Sequence, residues 1–130
     1  MEWIVVVPAK ELGGVFPKKI SGVSPDKTTI DIFKKLREHK NEIPEYYGYF
    51  VLTIDTLESL IKKFWLFDKS VPNKIEVGVS YVTLYGLREI DSKITNEFLS
   101  ALGGKSWSVK WDKDGLIFTI LLYSTAEGVE

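Results

Sequence analysis

The chain has 130 residues, no cysteine, one histidine and a formal net charge of -1. That length suits one domain of ~100–150 residues, and a chain without cysteine carries no disulfide framework, thiolate nucleophile, Cys-based zinc site or iron–sulfur cluster. The lone His39 excludes a metal centre built from two or three imidazoles of one chain, and a near-neutral total charge gives no global pull toward nucleic acid.

Taken in chain order, Glu2 to Val7 reads as a strand, apolar on both parities and therefore covered on both faces. Residues 9–24 follow, with Gly13, Gly14, Pro17 and Gly22, as a long irregular loop. Ser24-Pro25 opens a helix running to about Lys40, with Ile30, Phe33 and Leu36 as its apolar stripe. Tyr46 to Ile54 is aromatic and β-branched and reads as a strand. Asp55 and Glu58 have capping-box spacing and start a second helix, in which Leu57, Leu60, Ile61 and Phe64 form one face and Glu58 pairs with Lys62. Lys74 to Tyr85 reads as one long strand, and about Leu87 to Leu102 as a third helix stopped by Gly103-Gly104. A hairpin closes the chain, Ser106 to Asp112 and Leu116 to Tyr123 around Lys113-Asp114-Gly115, before a loose tail at 124–130. The expected fold is thus a single α+β domain over residues 1–130. It has a mixed five-stranded sheet and three helices in the order β-α-β-α-β-α-β-β, with a closing antiparallel hairpin.

Composition adds a habitat and a compartment. There is no glutamine, only three asparagines (Asn41, Asn73, Asn96) and one methionine, with abundant Lys and Glu, the bias of heat-adapted proteins. No apolar run approaches the ~18 residues of a membrane span, and no export signal is evident, so a cytoplasmic protein with no membrane partner is expected. Charge is uneven: between Lys10 and Lys40, eight basic residues (Lys10, Lys18, Lys19, Lys27, Lys34, Lys35, Arg37, Lys40) face four acidic ones (Glu11, Asp26, Asp31, Glu38), a local excess of +4.

Most candidate chemistry has a plain structural reading. Gly103-Gly104-Lys105-Ser106 looks like the end of a phosphate loop, but such a loop joins a strand to a helix, whereas these glycines close a helix and lead into a strand. His39 suits the last turn of its helix. Asp55, Asp68 and Glu76 could converge as carboxylates on a divalent ion only if the fold brought them together. No catalytic residue, metal site or cofactor is therefore assigned.

The closing hairpin holds the unusual feature. Lys105-Ser106-Trp107-Ser108-Val109-Lys110-Trp111 alternates, placing Trp107, Val109 and Trp111 on one face and Ser106, Ser108 and Lys110 on the other. The apolar face suits a core beneath a helix. If it is open instead, two indoles make a base-stacking platform with lysines for phosphates, each stacked base contributing about 1–3 kcal/mol.

Ile43-Pro44-Glu45-Tyr46-Tyr47-Gly48, followed by Ile54-Asp55-Thr56-Leu57, resembles the segment that opens the second helix of the barstar family of intracellular ribonuclease inhibitors. The resemblance implies an α/β order and an inhibitor's role. Three residues are inserted between Gly48 and Asp55, and the family's acidic contact and tryptophan would fall on Ser59 and Glu58.

The leading expectation is a small non-enzymatic binding module for single-stranded nucleic acid. Its contacts would be Trp107, Trp111, Lys105 and Lys110, supported by Lys18, Lys19, Lys34 and Lys35. The alternatives are a protein-interaction or inhibitor domain, or a metal-dependent hydrolase such as a nuclease. An edge strand of the hairpin could also pair with its copy in a homodimer.

Overall fold

The structure is a computed structural model and describes residues 2–7, 18–20, 34, 36–38, 47–65 and 71–122. Strand β1 (Glu2–Val7) takes the interior place that its two apolar parities demand. It lies between β2 (Lys18–Ile20), antiparallel to it, and β3 (Lys74–Val77), parallel to it. Strands β4 (Tyr81–Leu87), β5 (Gly104–Asp112) and β6 (Gly115–Leu122) complete a sheet in the order β2-β1-β3-β4-β6-β5. The expected mixed five-stranded sheet is its body, and the three-residue β2 is a short addition at one edge.

Residues 34 and 36–38 belong to helix α1, followed by α2 (Tyr47–Trp65) and α3 (Ser92–Leu102), so the fold is α+β with three helices. A parallel pair needs a long crossover, and α1 and α2 lie in the one joining β1 to β3. The helices share one face of the sheet. Leu36, Phe50, Ile54, Leu57 and Phe98 form one core with Trp3, Val5, Ile75, Val77, Val82, Leu84, Phe118 and Ile120. The register confirms that these strand residues point the same way: Ile75 opposes Leu84, which opposes Phe118.

Several local expectations are corrected. Among the described residues the elements run β-β-α-α-β-β-α-β-β, where β-α-β-α-β-α-β-β was expected. The strand expected from Tyr46 to Ile54 is helical from Tyr47 on, where α2 starts. Phe50, Ile54, Leu57 and Ile61 continue a single helical stripe, and their burial against the sheet outweighs the β preference of the aromatic and β-branched residues. Asp55 is consequently an exposed mid-helix residue and not a cap. The Glu58–Lys62 ion pair does form, at 3.2 Å.

The irregular stretch 9–24 contains β2. The long strand from Lys74 is in fact the hairpin β3–β4, closed by the Gly78 N–H donating to the Tyr81 carbonyl at 2.9 Å. A side chain at Gly78 would strike the Tyr81 ring, so glycine permits this tight reversal. The third helix begins at Ser92, capped by Asp91, whose carboxylate accepts the Ile94 N–H at 2.9 Å; Leu87 instead ends β4. Gly103 stops α3 as expected, with φ 67° and its N–H bonded to the Leu99 carbonyl. Residues 124–130, His39, Lys35 and Asp68 lie outside the described residues. Among the described residues, no helix is long and apolar enough to cross a membrane.

Candidate functional site

The alternation in β5 sets the site. Trp107 opposes Ile120, Val109 opposes Phe118 and Trp111 opposes Leu116, so the two indoles point to the helix side of the sheet. On that face the core residues of β1, β3, β4 and β6 are buried, yet Trp107 is 50% and Trp111 80% exposed. The reason is reach. An eleven-residue α3 spans ~16 Å, whereas a nine-residue β5 spans ~30 Å, so the helix leaves part of the outermost strand open. Trp107 retains an inner contact, edge-on to Phe118 with ring centroids 6.2 Å apart at 71°. Trp111, nearer the hairpin turn, projects furthest into solvent.

The lysines expected to accompany the indoles are divided. Lys105 sits at an irregularity where the β5–β6 register shifts, and it is exposed. Lys110 opposes Ile117 and belongs to the other face of the strand. Lys18 and Lys19 pair with Val7 and Val6 in β2, at the opposite edge of the sheet. Five interstrand steps of ~4.8 Å separate those edges by roughly 24 Å. Lys34 is exposed on α1, and Lys35 lies outside the described residues. Within the hairpin, Lys105, Lys110 and Lys113 meet Asp112 and Asp114, a net of +1 from three positive and two negative charges.

A second surface was not anticipated from the sequence. On the face away from the helices, Tyr81 donates a hydrogen bond to the Glu76 carboxylate at 2.5 Å. The Lys74 ammonium lies 4.1 Å from the Tyr85 ring centroid. The hydroxyls of Thr83 and Thr119 are 3.2 Å apart. A cavity of about 170 Å³, lined by Asn73, Lys74, Tyr85, Gly86, Asp112 and Asp114, opens where this face meets the hairpin turn. The polar residues interrupting β3 and β4 were the signal for it, masked by reading the two strands as one.

These tyrosines give the molecule an alkaline limit. Burial first, then the bond to Glu76 and its charge, push the Tyr81 ionisation well up. Burial and the same carboxylate raise Tyr85. The folded state therefore favours neutral tyrosine. The associated stability is complete below the ordinary tyrosine pKa of about 10 and is lost as pH rises through the higher folded-state values. The contribution of these two tyrosines to stability should fall only above about pH 10, with tyrosinate absorbance lagging that of the unfolded chain. Glu76→Gln should bring the two titrations down; an unchanged titration would remove the assigned cause.

The carboxylates considered for a hydrolase are apart. Asp55 is exposed on α2, whereas Glu76 is on the sheet face remote from the helices. Among the described residues, no three His, Asp or Glu side chains are placed to hold a metal ion. Of the segment resembling the barstar family, residues 43–46 lie outside the described residues, Tyr47 and Gly48 stand in the first turn of α2, and Ser59 is exposed. Glu58 is ion-paired to Lys62 within the helix. No family model, curated protein or solved structure matches this chain.

Proposed function

We propose that this chain is a non-enzymatic binding module of a heat-adapted cytoplasm that holds single-stranded nucleic acid against the helix-side face of β5. The observation that carries the reading is the exposure of Trp107 and Trp111 on the sheet face where β1, β3, β4 and β6 are buried. An exposed indole stacks on any base, and Trp107 and Trp111, four residues apart on one strand, are separated by ~13 Å. Phosphates flanking such bases would meet Lys113 at the turn and, reaching around the strand from its other face and from its register shift, Lys110 and Lys105. Lys18 and Lys19, at the far edge of the sheet, are not needed for this contact.

The test is a titration with single-stranded oligonucleotides, followed by indole fluorescence. Binding should quench the signal, and the logarithm of the affinity should fall with that of salt with a slope of about -2 for three phosphate contacts at ~0.7 each. Trp107→Ala and Trp111→Ala should each weaken binding about tenfold or more, the equivalent of ~1–3 kcal/mol per stacked base. Absence of quenching at low salt and tens of micromolar protein removes the proposal.

A further inference from the structure

We infer that the cavity beside the hairpin turn is a binding site for a guanine base. It forms where β4 and β6 meet without side chains. Their register shifts between Tyr85 and Leu87, and Gly86 and Gly115 there take φ of 78° and 128°. A Cβ at Gly86 would strike the Asn73 side-chain amide, and one at Gly115 would crowd the Leu87 carbonyl and the Gly86 backbone. Bulges and strand glycines of this kind occur beside sites where a ligand approaches the backbone closely. The hollow measures about 170 Å³, below the ~300 Å³ at which pockets for drug-sized ligands begin. That volume suits a single base, with any sugar and phosphate left outside.

The polar ends of its walls are uncommitted and of two kinds. On the hairpin side stand the Asp112 and Asp114 carboxylates; one Asp112 oxygen accepts the Lys113 N–H at 2.8 Å, which leaves the other free. On the β3–β4 side stand the Asn73 amide, the Lys74 ammonium and the Tyr85 hydroxyl. Among the described residues, the Asn73, Tyr85 and Asp114 side chains make no hydrogen bond or ion pair, and the Lys74 ammonium rests on the Tyr85 ring instead of a carboxylate. A cation entering the cavity would meet Lys74, and an anion would meet the two aspartates. The matching ligand is neutral, with donors on one edge and acceptors on the next. Guanine has that pattern. Its N1–H and its exocyclic amino group stand side by side, an arrangement that one carboxylate accepts bidentately. Its O6 and N7 acceptors lie on the adjoining edge, for Lys74 and Asn73. In adenine and cytosine the amino group adjoins a bare ring nitrogen. In uracil and thymine the one ring N–H is flanked by two carbonyls. Each of these bases would press an acceptor against the carboxylates, which costs binding because a buried acceptor is left unpaired.

The test is a titration of the full chain with guanosine, inosine and adenosine monophosphates, whose phosphates are identical and whose bases are not. The amide resonances of Gly86 and Gly115 report on the cavity itself, and both should shift with the guanosine nucleotide. Inosine lacks the exocyclic amino group and should bind about tenfold more weakly, the loss of one hydrogen bond to a carboxylate. Adenosine should bind no better than inosine. Asp114→Asn should bring guanosine down to the level of inosine with an unchanged melting midpoint, because Asn-Gly serves a hairpin turn as well as Asp-Gly does. A thymidine strand carrying one guanine separates the two sources of the base. A gain over the all-thymidine strand that Asp114→Asn abolishes assigns the guanine to a strand; equal strands with the guanosine preference intact assign it to a free nucleotide. Equal binding of the three nucleotides, glycine signals that stay still at millimolar nucleotide, or a guanosine preference that survives Asp114→Asn combined with Asp112→Asn overturns the inference. The cavity lies toward the sheet face opposite the indoles, so Trp107→Ala and Trp111→Ala should leave the guanosine preference unchanged. This result and the oligonucleotide quenching therefore stand or fall separately.

Discussion

Phe118→Ala should cost about 3–5 kcal/mol of stability, the range for removing a large aromatic side chain from a packed core. Phe118 is fully buried at the middle of β6, between Leu84 of β4 and Val109 of β5. Its ring is edge-on to Phe98 of α3 at 6.1 Å and 79°, and to Trp107 at 6.2 Å and 71°. Truncation removes the apolar transfer gain and both aromatic contacts, each worth about 0.5–1.5 kcal/mol beyond area burial. It also leaves a cavity that α3 and the sheet can only partly close. Against a total of ~5–15 kcal/mol for a domain, the denaturation midpoint should drop sharply with an unchanged slope. Phe118→Leu, which keeps more of the volume, should lose about 1.5 kcal/mol or less. Trp107 forms one wall of the vacated space, so its emission should change in the alanine variant while that of Trp111 should not. A loss below about 1 kcal/mol, small for a buried aromatic truncation, would mean that α3, β5 and β6 do not meet at this ring.

That junction also explains how much of the molecule could be read from residues alone. The closing hairpin and the end of α3 were legible because their chemistry is local: Lys113-Asp114 makes the turn into Gly115, and Gly103 adopts a left-handed cap. The stretch from Tyr46 to Ile54 was not, since nearly every residue is aromatic, β-branched or apolar, and such a run satisfies a strand period and a helical period alike. Burial of Phe50 and Ile54 against the sheet settles it as helix, a tertiary choice that local preference does not contain. The β3–β4 reversal was hidden because Gly78-Val79-Ser80 lacks the Asn-Gly or Asp-Gly signature. It forms through the close approach of Gly78 to the Tyr81 ring.

The candidate site divides along the same line. Alternation in β5 specifies which residues share a face, and the register agrees: Trp107, Val109 and Trp111 on one, Ser106, Ser108 and Lys110 on the other. Whether that face is covered depends on the position of β5 in the sheet and the length of α3, which no nine-residue window encodes. The apolar pattern pointed to a buried strand, and its location at the edge leaves the indoles exposed. The separation of the lysines has a similar reason. Lys18 and Lys19 are near in sequence to other basic residues but reach the sheet at the edge opposite β5.

Gly115→Ala tests the support beneath that exposed strand and should cost about 2–4 kcal/mol, combining backbone strain with a steric overlap. Gly115 begins β6 opposite Asp112, with φ 128°, a conformation that side-chain-bearing residues rarely adopt. A Cβ there would lie 2.7 Å from the Leu87 carbonyl oxygen and 3.1 Å from the Gly86 carbonyl carbon. Both are backbone atoms where the β4–β6 register shifts, so no side-chain rotation relieves the clash. Gly103→Ala is the matched control: its φ is also positive, at 67°, but nothing lies within 4 Å of the added carbon. It should lose only the left-handed penalty of about 1–2 kcal/mol. Because the hairpin must lift away from β4 to accommodate the added methyl group, the tip carrying Trp111 moves with it. Oligonucleotide affinity should therefore fall in Gly115→Ala and hold in Gly103→Ala at temperatures where both remain folded. Equal stability losses in the two would show that the turn is held by its own dihedral preference, and that the approach to Leu87 does not position the strand.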